Sequence, residues 1–225
     1  MSPTRIIIFA KAPLANFAKT RLAPLLGPEG AAQLALDLLK LTVSEAIGAG
    51  LGPVEICVTP GPQDPVWESW SNNWPEVVWS NQGDGDLGAR MAHAAQKGLA
   101  RPGPVLLIGT DCPALDRTRL TEAEGALKTH DMVMIPASDG GYVLLGLNSF
   151  APELFTDMAW STETVAAETL SRAAKRSWNV CVLETLADID EPADLHHLPD
   201  SLRRLATCRE MTVDPDHPQD GKRLT

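Results

Sequence analysis

The residues best suited to chemistry near the N-terminus lie in a basic stretch, FAKAPLANFAKTRLAP, at 9–24. The chain as a whole is acidic, yet its first carboxylate is Glu29. Lys11 and Lys19 offer compact charges, and Arg21 offers a two-pronged donor, which are the side chains that usually bind phosphate. A loop with Pro and Asn before such cations can wrap N–H groups around an oxyanion. The stretch therefore predicts a phosphate-binding loop; the alternative is a solvated loop whose cations pair with surface acids.

Two carboxylates supply complementary chemistry further along the chain. Asp111 in GTDCP ends an apolar run, and Asp190 lies in DIDEPADL. A bound diphosphate normally brings Mg²⁺, which takes one or two carboxylate ligands. The pair therefore predicts a Mg²⁺ or Mn²⁺ site. Both residues keep a structural alternative, since Asp111 could cap the helix that begins near Asp116, and Asp190 could cap one that opens with Glu191 and Pro192.

A glycine-rich segment, QGDGDLGARM, contains the spacing G-x-G-x-x-G at positions 83, 85 and 88. This spacing is typical of dinucleotide-binding folds, but Asp84 and Asp86 would repel a pyrophosphate laid over the loop. The segment also follows the third apolar run, whereas that fingerprint normally follows the first strand. We therefore expect a loop that contacts the base and ribose of a nucleotide through Gly85 and through Asp86 or Arg90.

A second small-residue turn, SDGGY, holds the only tyrosine of the chain, Tyr142. Gly140 and Gly141 allow a close backbone approach or a positive φ angle. Asp139 at the head of the turn is placed to orient or deprotonate an acceptor group. The alternative is a tight turn between two strands.

Composition limits the classes of function. The 225 residues include 19 Lys and Arg against 29 Asp and Glu, a net charge of -10, which argues against a broad nucleic-acid or anionic-membrane surface. None of the four cysteines forms a C-x-x-C pair, so we interpret them as reduced thiols of a cytoplasmic protein. The N-terminal apolar run IIIFA is too short for a signal peptide or a membrane span.

The elements that must position these residues alternate along the chain. Short apolar runs rich in Ile, Val and Leu predict buried strands, and the segments between most of them have helical periodicity. This alternation predicts an α/β fold with a mainly parallel sheet, whose ligands bind at the carboxyl ends of the strands. We expect one domain at 1–211 and a polar tail at 212–225. The predicted strands are 5–10, 54–59, 76–80, 104–110, 131–137, 142–147 and 179–184, and the predicted helices are 29–48, 87–100, 117–129 and 161–177, the last N-capped by Ser161.

Six motifs in order resemble one bacterial family over residues 6–198: FAKAPLANFAKTRLAPLLG, QGDGDLGARM, GTDCPAL, DGGYVLLGL, WSTETV and DIDEPADL. The family groups small transferases described as a domain of unknown function, whose members are also labelled arsenosugar-type or radical-SAM-associated glycosyltransferases. The resemblance implies a GT-A-like fold, that of nucleotide-diphospho-sugar transferases, with three αβα layers and a mainly parallel mixed sheet. Nucleotidyltransferases share that fold.

The resemblance also implies roles for the site residues. Lys19 and Arg21 would bind the phosphates, and Asp111 would hold the metal with Asp190 as its second carboxylate. The loop from Gly85 to Arg90 would contact the nucleoside. The acceptor side would be lined by Asp139, Gly140, Gly141, Tyr142, Trp160, Ser161 and Thr162. Asn16 stands where the family usually has Gly, and Asn tolerates the left-handed backbone region better than most residues.

We therefore expect a transferase that takes a nucleotide-activated donor and a small-molecule acceptor, with Mg²⁺ or Mn²⁺. An NDP-sugar-dependent glycosyltransferase is the first hypothesis. A nucleotidyltransferase that releases pyrophosphate is the second, and a non-catalytic nucleotide sensor is the third. The sequence leaves a homo-oligomer open.

Overall fold

The computed structural model describes residues 2–207, which form seven strands and six α-helices. All seven apolar runs of the sequence form strands, as predicted. The strands are β1 Arg5–Lys11, β2 Val54–Thr59, β3 Val78–Asn81, β4 Val105–Ile108, β5 Met132–Pro136, β6 Tyr142–Leu147 and β7 Val180–Val182. The helices are α1 Ala23–Ala49, α2 Glu68–Ser71, α3 Leu87–Leu99, α4 Arg117–Ala126, α5 Val165–Lys175 and α6 Asp200–Thr207, with short 3-10 turns at Pro65–Trp67, Pro152–Leu154 and Pro192–His197.

The strands form one sheet in the order β3-β2-β1-β4-β6-β5-β7. Strand β6 runs antiparallel to both of its neighbours, β4 and β5, and the other pairs are parallel. The chain reverses its direction of progress across the sheet between β1 and β4. In open α/β sheets such a point leaves a crevice at the carboxyl ends of the strands, where ligands bind.

Alternating residues of the strands feed two cores on opposite faces of the sheet. On one face Ile6 and Ile8 of β1 pack in a cluster with Leu39 of α1 and Leu120 of α4. On the other face Ile7 of β1 packs with residues of α3 and α5, including Met91 and Ala173. The near-continuous apolar strands are therefore buried on both faces, and the three αβα layers predicted for this fold are confirmed.

Two helices begin elsewhere than predicted. Helix α1 starts six residues early, at Ala23, because Gly27 (φ 70°, ψ 161°) joins two helical segments at a kink before Pro28. Helix α5 starts only at Val165, so the prediction that Ser161 caps it is wrong. Ser161 instead lies in the left-handed region, with φ 61°, which is incompatible with the extended backbone usual at an N-cap.

The remaining expectations concern the C-terminal tail, membrane spans, the cysteines and the location of the protein. The predicted polar tail at 212–225 lies outside residues 2–207. Within those residues, no helix combines the length and the apolar character needed to cross a membrane. Cys57, Cys112 and Cys181 are free thiols. The cytoplasmic location and the homo-oligomer stay predictions.

Candidate functional site

Two adjoining cavities open at the carboxyl edge of the sheet, where the sequence placed the functional residues. The first, here called the polar cavity, has a volume of about 480 Å³. The second, the apolar cavity, has about 240 Å³. The two share Phe9, Leu87, Asp139 and Ser161, so they meet along one seam. Among its lining residues the polar cavity has Lys11, Lys19, Arg21, Arg90, Asp111 and Asp190, and the apolar cavity has Gly141, Tyr142, Trp160, Thr162 and Asp188.

The basic loop after β1 has an unusual backbone. Asn16 has φ 60° and Lys19 has φ 48°, both in the left-handed region. Asn adopts this region more readily than most residues other than Gly. A non-glycine residue held there costs of order 1–3 kcal/mol, so the contacts of the Lys19 side chain must offset local strain.

The ammonium group of Lys19 lies between the two predicted metal ligands. Its Nζ is 2.6 Å from Asp111 Oδ1 and 2.8 Å from Asp190 Oδ1, and it also donates to the carbonyl of Ile189. A lysine ammonium has three protons, so protein acceptors use all of its donors. The Lys19 side chain is 6% exposed, whereas those of Asp111 and Asp190 are 46% and 40% exposed. Lys19 thus holds the carboxylates from the protein side while they face the cavity.

Charge explains why Lys19 stays protonated there. Burial by itself lowers the pKa of a lysine, but the two adjacent carboxylates outweigh it and leave the pKa of Lys19 above its ordinary value. A backbone hydrogen bond also joins the two segments that carry the aspartates, because the Ile189 amide donates to the Asp111 carbonyl at 2.8 Å. The segment after β7 is therefore tied to the end of β4.

Both capping alternatives for the predicted metal ligands are wrong. The 3-10 turn at Pro192–His197 is capped by Glu191, which forms a capping box with Asp194, and not by Asp190. Helix α4 is capped by Asp116, whose carboxylate accepts from the Arg119 amide at 2.9 Å, and not by Asp111. Other acids stabilise both helix ends, so Asp111 and Asp190 are available to a cation.

Asp188 is a site residue that the sequence reasoning missed. Burial raises its pKa to about 6, and the nearby Asp139 carboxylate adds to the shift. Single carboxylate oxygens of Asp139, Asp188 and Asp190 lie within 4.8 Å of one another, a second arrangement that could hold a cation. The spacing in DID could have indicated Asp188, because residues two apart in an extended segment face the same way and Asp190 was already a predicted ligand. Ile189 between them is fully buried in a separate apolar cluster.

The remaining predicted cations differ in how far their partners restrain them. Arg21 is exposed, and its guanidinium lies 3.5 Å from the exposed Glu191 carboxylate. Lys11 extends over the Phe17 ring, with Nζ 4.4 Å from the centroid. Arg90 donates from Nε to the Gly85 carbonyl at 3.0 Å, which holds it at the cavity wall. All three can turn donors toward an anion at little cost, unlike Lys19.

The glycine-rich loop contributes mainly through its shape. Gly85 has φ 94°, and Asp86 caps α3 by accepting from the Ala89 amide at 2.8 Å. Neither is among the residues that line the two cavities, whereas Leu87 and Arg90 of the same segment are. Contact of Gly85 and Asp86 with a nucleoside stays a prediction.

The SDGGY segment is both a turn and a cavity wall. Asp139 Oδ1 accepts from the Gly141 amide at 2.8 Å, and this turn joins β5 to β6. Gly140 has φ 90°, and a Cβ there would lie 2.1 Å from the Glu163 carbonyl oxygen, so only glycine fits. The Tyr142 hydroxyl lies 3.9 Å from Met91 Sδ, and burial raises the pKa of Tyr142. Tyr142 therefore offers its ring to the cavity.

Comparisons with known proteins show the family of the chain and its fold class. Residues 42–162 match the model of a family described as an uncharacterized protein conserved in bacteria, DUF2064. The chain belongs to this family. A crystal structure from Desulfovibrio desulfuricans G20, described provisionally as that of a nucleotide-diphospho-sugar transferase, is 30% identical with a TM-score of 0.82, covering 93% of this chain and 95% of that one. The search of curated proteins found no match.

More distant structures share the fold of this DUF2064 chain. A CMP:2-keto-3-deoxy-manno-octonic acid synthetase complexed with CTP is 11% identical with a TM-score of 0.54, covering 93% of this chain and all of that one. The 4-diphosphocytidyl-2C-methyl-D-erythritol synthase from Anaerococcus prevotii DSM 20548 is 10% identical with a TM-score of 0.57, covering 86% and 94%. At these identities the likeness concerns the fold alone, and the predicted GT-A-like class is confirmed.

Proposed function

We propose that this DUF2064 chain is a transferase that uses a nucleotide-activated donor, and that it is an NDP-sugar-dependent glycosyltransferase. The observation that carries the proposal is the arrangement of the two cavities. Cations and a carboxylate pair line the polar cavity, which meets a smaller cavity at Asp139. Such a layout offers one compartment for donor phosphates and another for the acceptor. The 30% identical relative supports the same class.

The phosphate-binding role falls to the cations that can reorient. Arg21, Lys11 and Arg90 line the polar cavity with donors not fully used by protein acceptors. Placed around a leaving diphosphate, they would stabilise the negative charge that grows as the donor bond breaks. Lys19 would act indirectly, because its ion pairs hold the carboxylates of Asp111 and Asp190 in place. Direct contact of Lys19 with phosphate would require it to give up one of these partners.

A hard divalent cation fits the exposed faces of Asp111 and Asp190. The Lys19 ammonium lies between one oxygen of each, and the exposed sides of the two carboxylates, 46% and 40%, support a second cation there. Asp190 with Asp111 would hold Mg²⁺ or Mn²⁺, and carboxylate oxygens are the ligands these ions prefer. When bound, the ion would neutralise charge on the donor phosphates. The group of Asp139, Asp188 and Asp190 is the competing location.

Asp139 is the residue best placed to act on the acceptor. It lines both cavities, so a group bound in one can meet a group bound in the other beside its carboxylate. An acceptor hydroxyl there would donate to Asp139, which would take its proton during transfer. The Gly141 amide fixes the other side of this carboxylate through its hydrogen bond.

Nucleotidyl transfer is the second candidate. The observation that favours it is the positive charge of the polar cavity: Lys11, Arg21 and Arg90 line it with donors that can turn toward a phosphate, and Lys19 adds a fourth positive charge. In that reaction an acceptor oxygen would attack the α-phosphorus and pyrophosphate would leave. A sensor, the third hypothesis, would bind the same ligands without turnover. The arsenosugar- or radical-SAM-associated labels stay predictions of the family resemblance.

A ligand screen with product analysis tests these candidates. UDP-, GDP-, ADP-, CDP- and dTDP-sugars and the matching NTPs would be compared by thermal shift with Mn²⁺, because a ligand of the native state raises the melting temperature. We expect one NDP-sugar to give the largest shift and slow hydrolysis to release a nucleoside diphosphate. Preference for an NTP with pyrophosphate release would replace glycosyl by nucleotidyl transfer. No shift with any nucleotide would refute all three hypotheses.

A further inference from the structure

The chemistry of the apolar cavity differs sharply from that of the polar one. Its wall is built from aliphatic, aromatic and thioether side chains, which include Phe9, Met91, Leu107, Ile108, Val143 and Val165. Strands and helices of the main core supply them, so the cavity is set into packed structure. A ligand body bound here gains free energy mainly by leaving water.

Polar atoms are few in this cavity, and several are already engaged. Thr162 Oγ1 donates to the Ala159 carbonyl at 2.7 Å, and one Asp139 oxygen accepts from an amide. The Tyr142 hydroxyl lies 3.9 Å from Met91 Sδ. Asp139 and Ser161 belong to the seam with the polar cavity. The other carboxylate of the wall, Asp188, lies beside Asp139, with one oxygen of each within 4.8 Å of the other. Hydrogen-bonding capacity is therefore concentrated at the end of the cavity where Asp139 and Asp188 lie.

A sugar ring does not match such a surface. Each buried hydroxyl left without a partner costs about 1–3 kcal/mol, and a sugar carries several around its ring. A group with an apolar body and one hydroxyl pays no such cost if that hydroxyl lies at the Asp139 seam. The volume of about 240 Å³ is below the range of roughly 300–1,000 Å³ typical of drug-sized ligands. A single ring or a short branched chain is the size that fits.

We propose that the apolar cavity binds the acceptor, and that the acceptor is a small alcohol with an apolar body whose hydroxyl lies at Asp139. The role given to the hydroxyl rests on the proposed glycosyl transfer, whereas the chemistry of the body rests on the cavity alone. The donor sugar would then lie on the polar side of the seam, where charged and polar side chains can satisfy its hydroxyls.

The transfer step is then defined atom by atom. The acceptor oxygen forms a bond to the anomeric carbon of the donor, and the bond from that carbon to the diphosphate oxygen breaks. The electron pair of the broken bond leaves with the nucleoside diphosphate. The proton of the acceptor hydroxyl passes to the Asp139 carboxylate, so no oxidant or reductant is needed.

Two probes with the same ring test the chemistry of the body. Cyclohexanol has one hydroxyl on an apolar ring, and myo-inositol has a hydroxyl on every carbon of that ring. Each would be titrated into the full chain with methyl-labelled Ile, Leu and Val, and the methyl signals of Leu107, Ile108 and Val165 would be followed by NMR. We expect saturable shifts with cyclohexanol and none with myo-inositol at equal concentration. The reverse result, or no shift with either, would overturn the proposal.

Matched variants locate the binding. Val165→Phe fills the cavity and should weaken cyclohexanol binding at least about tenfold, whereas Val182→Phe, on a half-exposed residue of β7, should leave it unchanged. If Val165→Phe does not fold, Leu87→Ser serves instead, because Leu87 is 44% exposed and lines the seam. Its control is Leu25→Ser, at a leucine of α1 that is 50% exposed. Equal affinity in variant and control would exclude this cavity.

Nucleotide binding separates this proposal from the proposed function. Nucleotide shifts in melting temperature without cyclohexanol binding would retain the transferase and remove the apolar acceptor. Cyclohexanol binding without any nucleotide effect would retain the apolar ligand site and remove its role as an acceptor site. Displacement of cyclohexanol by a nucleoside alone would identify the cavity as a base pocket and overturn the acceptor assignment.

Discussion

The polar and apolar cavities share a wall at Asp139 yet are built in different ways. The polar cavity takes charged side chains from loops that follow several strands, and long-range ion pairs position them. The apolar cavity takes its wall from strand and helix residues that also belong to the core. Charge therefore determines the first compartment and packing the second. Substitutions that alter charge should therefore change metal and nucleotide binding in the polar cavity. Substitutions that alter volume should change the binding of an apolar ligand in the apolar cavity.

Lys19 is the position where removing a charge should have the largest effect. Lys19→Met leaves Asp111 and Asp190 facing each other without a buried counter-ion, so we expect a loss of stability. A fully buried pair would lose about 3–5 kcal/mol, and the half-exposed carboxylates reduce this to about 2–3 kcal/mol. At about 2–4 °C per kcal/mol for a chain of this size, calorimetry should detect the change. Mn²⁺ should restore more stability to Lys19→Met than to the wild type.

The matched control is Lys128→Met. Lys128 is 45% exposed and lies 3.1 Å from Glu124, four positions earlier in the chain, so its pair should contribute little. Equal melting temperatures for the two variants, with no selective effect of Mn²⁺, would show that Lys19 does not position the carboxylates. Phosphate contact would then be the remaining role for its side chain.

Asp111 and Asp190 should affect metal binding, whereas an aspartate that only caps a helix should not. Asp190→Asn and Asp111→Asn should each weaken Mn²⁺ binding by about tenfold or more, because an amide lacks the charge that a hard cation prefers. Asp116→Asn, which alters only the cap of α4, should bind Mn²⁺ as the wild type does. Titration followed by electron paramagnetic resonance measures this. If Asp188→Asn loses affinity and Asp111→Asn retains it, the metal lies among Asp139, Asp188 and Asp190.

The residues of the polar cavity could be predicted from the sequence, whereas the apolar cavity could not, and the reasons are physical. Polar residues after buried strands could be assigned to one edge, because parallel strands end there, and this rule brought Lys19, Asp111, Asp139 and Asp190 together. It could not give their partners, since the contact between Lys19 and Asp190 spans 171 positions of sequence. The volume of the apolar cavity depends on packing, and packing has no local pattern in the sequence.

Local conformations were the other source of error. Ser161 was expected to cap α5 because serine often does, but the approach of Gly140 to Glu163 fixes the segment before α5 differently. Asp188 was overlooked because the segment after β7 has little regular structure. Its orientation follows from the burial of Ile189 and from the single bridge between Ala137 and Leu186. Both features depend on tertiary contacts.

The effect of the exposed cations should be confined to ligand binding. Arg21→Ala and Lys11→Ala should each weaken binding of the best nucleotide by about 1.5–3 kcal/mol if each donates a charged hydrogen bond to phosphate. Stability should hardly change, because both side chains extend into solvent. Arg101→Ala, at an exposed arginine beyond α3, is the control for a general loss of positive charge. Isothermal titration calorimetry at fixed ionic strength measures the difference; wild-type affinity in both variants would remove the loop from the site.

The smallest expected effect comes from Asp188 at the border of the two compartments. Its folded-state pKa of about 6 lies above the ordinary value of 3.8, so the folded protein favours the protonated form. The stability linked to this group is fully present below pH 3.8 and is lost as the pH rises through 6. Two pKa units would correspond to about 3 kcal/mol, and half-burial with solvent screening reduces this to roughly 1 kcal/mol. Asp188→Asn should therefore stabilise the protein at pH 7.5 and not at pH 4. Urea unfolding in metal-free buffer at the two pH values measures the difference. The control is Asp131→Asn, because Asp131 does not line either cavity. A pH-independent effect would show that Asp188 is solvated as an ordinary carboxylate, and the division between a charged and an apolar compartment would then lie elsewhere than at this residue.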